Sequence, residues 1–311
     1  MDRDELTYEG QEEVRLDRFL SEAYPSLSRN YFEKVISKGH VFVNHKPTKK
    51  SLKLQPLDEI LIHFPPLDPL ELTPVEMDIP VFFEDQDLAL IYKHPNLVSH
   101  PAVGTTEPTL IHGLLHRFRQ LQGLDTVRPG LVHRLDKDTS GIMIIAKNLT
   151  THELLANQFR GRQIKKTYLA VVHRNLEKTL VDAPIGRSLN DRKKMGIQPQ
   201  TGKEALTEFV PLFTSKGCTL VKAMPKTGRT HQIRVHLQHI HHPIVGDPLY
   251  GFLGLDKPLN PPRILLHAHS LEFIHPHTLK PMHFTSSLPQ DFSTFLERMG
   301  LNVANTPYLT L

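Results

Sequence analysis

The chain has one cysteine, Cys218, no apolar run long enough to span a bilayer, no internal repeat and no low-complexity tract. A single thiol excludes an internal disulfide and a cysteine-cluster zinc site. The longest apolar stretches, such as Gly141 to Ala146, fall far short of the ~18 residues that a membrane helix needs. The first residues, MDRDELTYEGQEE, are acidic and polar, which excludes a signal peptide. These absences point to an intracellular, cytoplasmic protein without a membrane partner.

What is present is ordinary for a globular protein: 311 residues, 39% hydrophobic and 23% charged. That length suits about two domains of roughly 150 residues each. The net charge of +4 is modest, but it is unevenly spread. Residues 1 to 14 carry six acids and one base, whereas residues 29 to 53 carry seven bases and one acid. Local positive charge displaces the counterions condensed on a phosphate backbone, so the second segment is a candidate nucleic-acid surface.

Leu16, Phe19, Leu20 and Ala23 fall at helical spacing, and Tyr31, Phe32, Val35 and Ile36 repeat the pattern. Ser28 suits the N-cap of the second helix and Gly39 its end. VFVNHKPT then predicts a strand entering a turn, and DEILIHF alternates as a strand does. The bases, candidate nucleic-acid contacts, are Arg15, Arg18, Arg29, Lys34 and Lys38 on the helices, with Lys46, Lys49 and Lys50 at the turn. Residues 1–13 read as an acidic tail, and 14–64 as a small α/β unit that resembles the RNA-binding fold named after ribosomal protein S4. Residues 65–80 hold five prolines, each of which restricts itself and its predecessor to extended forms. They read as a linker. From 81 to 300, many short strands with helices near 109–120, 150–160, after 230 and at 289–299 predict an α+β domain around a mainly antiparallel, mixed sheet. Residues 301–311 read as a tail.

The segment HRLDKDTSG, residues 133–141, admits two readings. From Asp136 it matches the first half of an EF-hand loop, but position twelve, where the bidentate carboxylate belongs, is Lys147. Calcium is disfavoured on that ground. Zinc is suggested by His231, His236, His239, His241 and His242. The first two are five apart, Gln232 stands where a glutamate is wanted, and no acidic third ligand is near. No metal is expected.

The alternative is a catalytic turn, with Asp136 at the sheet surface and neighbouring hydroxyls and N–H groups able to orient it. Downstream, GRTHQIRVHL predicts a helix with Thr230 as N-cap and Ile233, Leu237 and Ile240 as the buried stripe. Arg234 flanks that stripe, where it can reach a carboxylate, and a guanidinium favours the ionised form of such a partner. KKTYLAVV puts Tyr168 in a strand, as a flat ring on which a base can stack. Singly, these are an ordinary turn, a structural salt bridge and a core tyrosine.

Taken in order, HRLDKDTSG, KKTYLAVV, GRTHQIRVHLQHIHHPIVGDPLYG and LLHAHSLEFIHP resemble the RluA family of pseudouridine synthases. The resemblance runs from about Val81 to Met299 and includes VFFEDQDLALIYK and APIGR at 183–187. It implies isomerisation of uridine: the N1–C1′ bond breaks, the base turns, and C5 takes the place of N1, with no cofactor. It implies that Asp136 is the essential aspartate, acting by attack at C1′ or by proton abstraction from the ribose. Arg234 matches its partner, Tyr168 the residue packed on the target base, and Arg134 the residue that fills the space left by the flipped nucleotide. Leu135 is expected in the core, Asp138 in a turn-stabilising role, and Arg229 and Lys165 at phosphates. With the S4-like unit ahead, the chain looks most like the members that modify large-subunit ribosomal RNA, with transfer RNA a second candidate and no obligate protein partner, a monomer. One departure is Tyr92-Lys93-His94-Pro95-Asn96, where the family has an Asn-Lys-Pro-Ala/Ser-Gly turn. The rival readings are a non-catalytic RNA-binding or ribosome-assembly factor and a histidine-based metal hydrolase.

Overall fold

The structure, a computed structural model, describes residues 3–24, 29–64, 72–101, 107–123, 128–188, 191 and 194–301. The chain divides into two compact units, residues 1–71 and 72–311. Ser28, part of the 65–80 stretch and residues 302–311 lie outside the described residues.

In the first unit, Leu16, Leu20 and Phe32 are fully buried, with Val35 and Ile36 beside them. They join helices Leu16–Ala23 and Arg29–Ser37 to a four-stranded sheet ordered 3–7, 59–63, 41–43, 46–47. Val43 and Lys46 close a two-residue hairpin in which Asn44 and His45 both have positive φ, 51° and 63°. That is the sign the right-handed twist of the flanking strands requires. The helix ends at Gly39, φ 79°, as expected. The acidic tail is a correction. Arg3–Thr7 forms an edge strand paired with Glu59–His63: its alternation turns Leu6 inward with Asp4, which accepts from the Tyr24 hydroxyl at 2.8 Å, and leaves Glu5 on the solvent side.

The second unit is built on a nine-stranded sheet. Its order is 179–182, 206–215, 218–225, 165–173, 266–274, 140–146, 88–93, 81–84, and 281–285 pairs additionally with 266–274. All its pairings are antiparallel except that between Leu266–Ile274 and Ser140–Ala146. The latter strand is buried along its whole length, as a run apolar on both faces must be. Met143 and Ile145 face a core with helix Leu110–Arg117, while Ile142 and Ile144 face one containing Leu155 of helix Leu149–Arg160. At its start, Gly141 has φ 127°, and a Cβ there would lie 2.2 Å from the Ala268 carbonyl oxygen. Only glycine lets the parallel strand approach this closely, and that contact fixes where the turn before it emerges. Strand 179–182, the hairpin of 185–187 with 195–197, and strand 281–285 were not predicted; they are short, and half of their residues are polar or exposed.

Candidate active site

Three strand ends and one helix start converge on a cleft of about 480 Å³, lined among others by Asp136, Tyr168, Arg229, His231 and Arg234. Asp136 stands on the turn before Ser140–Ala146, which is closed by the Thr139 N–H donating to the Asp136 carbonyl at 3.2 Å. Its carboxylate retains 19% side-chain exposure. Arg234, from the buried side of helix Gln232–His239, donates from Nη1 to Asp136 Oδ2 at 3.2 Å. The rest of its fork is taken by a second carboxylate: Nε and Nη2 each reach Asp247 at 2.8 Å. Asp247 is fully buried and also accepts the Leu249 and Tyr250 N–H groups. Two opposite charges push the Arg234 pKa upward against its burial. The guanidinium is thus locked on Asp247 and offers its one free edge to Asp136. No donor among the described residues reaches Asp136 Oδ1.

Tyr168 lies in strand Lys165–His173, at the bulge where its pairing to Leu266–Ile274 slips between Thr167 and Tyr168. Its hydroxyl makes no hydrogen bond among the described residues. Burial, aided by the Asp136 charge, raises its pKa, so the phenol stays protonated. His133 accepts the Ile144 N–H on Nε2 and stacks on Phe159 at 4.8 Å. Burial, with the Lys166 charge, pushes it down to about 3, leaving it neutral.

Arg134 is exposed at the mouth of the cleft, and Arg229 lines it while donating to the Glu204 carbonyl. Leu135 is in the core, 3% exposed. Lys165 pairs with Glu272 away from the cleft. Strand alternation instead places Lys166 beside Tyr168 on the cleft face, donating to Thr227 and pushed by burial to about 8. Asp138 makes no side-chain hydrogen bond in the turn; its charge acts on Lys93. The turn hydroxyls do not orient Asp136 either: Ser140 contacts His267 and accepts from Arg263. Thr230 does not cap the helix; His231 does.

The departing turn at 92–96 finds its explanation here. Asn96 adopts φ 62°, the left-handed form that glycine would supply. Lys93, with no exposed surface, donates to the carbonyls of His94, Leu97 and Lys137 at 2.8–2.9 Å. One ammonium therefore ties that turn to the Asp136 turn from beneath. Of the histidines at 231–242, His236 is buried between Thr207 and Ala183, and His242 contacts the His173 carbonyl. Among the described residues, the one cluster with three ligand atoms in reach of a common ion is Asp85, Asp87 and His275. His275 Nδ1 already accepts two N–H groups, so its proton sits on Nε2 and goes to Asp85. That proton occupies the lone pair a metal would need.

In the first unit, Arg15 pairs with Asp17, Arg18 with Glu22 and Lys50 with Glu33, while Lys34, Lys38, Lys46 and Lys49 are exposed. The Arg29 side chain lies outside the described ones. Sequence reasoning brought Asp136, Tyr168, Arg234 and Arg229 to one cleft but missed Asp247, Tyr250, Lys93 and His133. The GDPLYG motif carried the only signal for the first two.

The RNA pseudouridylate synthase family profile matches residues 87–239, and the S4 domain profile matches 14–60. An RNA pseudouridine synthase of Aquifex aeolicus is 40% identical over 93% of this chain and 95% of its own. The ribosomal large subunit pseudouridine synthase D of Zymomonas mobilis is 36% identical over 94% and 95%. The human RNA pseudouridylate synthase domain containing 4 superposes with a TM-score of 0.58 at 27% identity, over 72% of this chain and 94% of that one. The chain belongs to the RNA pseudouridine synthase family, with an S4 domain at its N-terminal side, and isomerises uridine in RNA. The non-catalytic and hydrolase readings find no support. No described helix is long and apolar enough to cross a membrane.

Proposed function

We propose that this enzyme acts in the cytoplasm, as a monomer, on large-subunit ribosomal RNA, and that Asp136 starts the reaction. The observation that carries the assignment is the division of labour around Arg234: Asp247 takes two of its donors and Asp136 Oδ2 the third, leaving Oδ1 of this cleft-lining residue without a donor among the described residues. A carboxylate oxygen free of protein donors is the group able to attack C1′ or remove a ribose proton. Tyr168, a protonated ring with its hydroxyl free, packs on the base that is flipped out, and Arg134 fills the gap left in the RNA. The basic face of the S4 unit, with Lys46, Lys49 and Lys50 at its hairpin, holds the RNA backbone. The ribosomal target is supported by the relative whose name states it.

The test is to map pseudouridine in ribosomal and transfer RNA from cells lacking the protein, complemented by wild type or by Asp136→Asn. A ribosomal site should vanish and return with wild type alone. If only a transfer RNA site is lost, the substrate assignment is wrong; if Asp136→Asn restores the site, the mechanism is wrong.

A further inference from the structure

His231 caps helix Gln232–His239 with φ 57° and ψ 20°, a left-handed conformation that a side-chain-bearing residue holds only when its surroundings impose it. Gln232 imposes it. Its amide oxygen accepts from Arg229 N–H and the Thr227 hydroxyl, and its amide nitrogen donates to Leu206 O and Thr207 Oγ1. With the following residue pinned by four bonds, the His231 ring is turned into the cleft, edge-on to Tyr250 at 5.5 Å.

The hydrogen bonds then assign the tautomer. Tyr250, 2% exposed, accepts the Met195 N–H at 2.8 Å and lies 2.9 Å from His231 Nδ1. Its buried hydroxyl proton has no other acceptor among the described residues, so it goes to Nδ1. The imidazole proton is consequently on Nε2, which lies 3.9 Å from Asp136 Oδ2. That is too far for a hydrogen bond. The half-buried ring thus holds an N–H in the cleft beside the reacting carboxylate, with no acceptor of its own among the described residues.

Resting on the pseudouridine reading above, we propose that His231 is a further catalytic residue, donating a hydrogen bond from Nε2 to O2 of the target uracil. When the N1–C1′ bond breaks, its electron pair stays with the base, and the charge spreads over N1, O2 and O4. O2 is the carbonyl oxygen beside that bond, and Asp136 acts on the sugar at the other end of it. A fixed donor next to Asp136 thus lies where negative charge develops. His231 keeps its proton throughout, so no group is transferred and the isomerisation stays balanced. Burial and the neighbouring Arg234 and Arg134 lower its pKa against the pull of Asp136 and Asp247, which keeps it a neutral donor.

The test uses the full chain and a ribosomal RNA fragment containing the uridine lost in the deletion strain, made with uridine or 2-thiouridine at that position. Sulfur is the poorer acceptor. On uridine, His231→Phe should slow single-turnover conversion about 100-fold, as loss of one oxyanion donor does, with RNA affinity unchanged. On 2-thiouridine, wild type should fall to the rate of the variant. Tyr250→Phe, which frees the imidazole proton to move to Nδ1, should show a partial defect of the same kind. Equal rates of wild type and variant on uridine overturn the assignment, and so does a deficit of equal size on both substrates. If His231→Phe does not fold, His231→Asn replaces it and is read by the same criteria; it tolerates the left-handed backbone and is too short to reach. Wild type that converts neither substrate overturns the pseudouridine reading at that position instead.

Discussion

The two units of this chain use positive charge in opposite ways. In the first, cations stand on the surface, and the pairs they make, such as Lys50 with Glu33, leave the lysine 53% exposed. In the second, Arg234 is 6% exposed between two carboxylates and Lys93 not exposed at all among three carbonyls. Exposed charge gives long-range, salt-screened attraction and little stability. Buried charge is costly to place and costlier to leave unpaired, so it holds geometry. The first arrangement suits capture of any RNA backbone; the second suits aiming one carboxylate.

That contrast can be broken at several points. The largest effect is expected from Asp136→Asn, which should abolish pseudouridine formation while leaving thermal unfolding and RNA affinity near wild type, as measured by melting and filter binding. A large loss of stability would show that Asp136 is structural. Next is Asp247→Asn, which strips the buried guanidinium of its main partner. It should cost ~3–5 kcal/mol in urea denaturation and take activity with it, whereas Lys50→Gln, which breaks an exposed pair, should cost under ~1 kcal/mol. Comparable losses would erase the distinction between the two units.

Lys93 gives a test by pH. Burial pushes it from 10.5 to about 7. The folded chain then releases this proton near pH 7, while the unfolded chain holds it to about 10.5. Between those values the unfolded state binds more protons, so this group's contribution to stability rises with pH, and it is level below pH 7. Relative to Lys93→Met, wild type should therefore gain stability between pH 7 and 9.5 in urea titrations (about three pH points suffice). A constant difference would mean that the ammonium is not desolvated. The smallest effect on chemistry is expected from neutralising Lys46, Lys49 and Lys50 together. It should weaken RNA binding and reduce the slope of log affinity against log salt by up to about 2, with single-turnover rates at saturation unchanged.

Much of this was legible in the residues. Helical and alternating periods placed the helices and the longer strands of both units, and the order of four motifs brought Asp136, Tyr168 and Arg234 together as one site. The errors have physical causes. The strand at Arg3–Thr7 was hidden because an edge strand with one inward leucine looks like an acidic tail. Lys165 was preferred over Lys166 without fixing the face of the strand on which Tyr168 lies. His231 was weighed as a metal ligand and set aside as an ordinary surface or hydrogen-bonding histidine, since no local pattern announces a left-handed residue at a helix start.

By itself, the sequence determined the things that short-range physics encodes: which segments bury a face, where the turns fall, and which carboxylate stands at the mouth of a buried strand. The tertiary structure decided what Asp136 meets. Arg234 is 98 positions away and Lys93 is 43 before it, and only the strand order, with its one parallel pair at Gly141, brings them to the same turn. Periodicity acts over a few residues, whereas a shared guanidinium between two carboxylates is a property of the folded sheet.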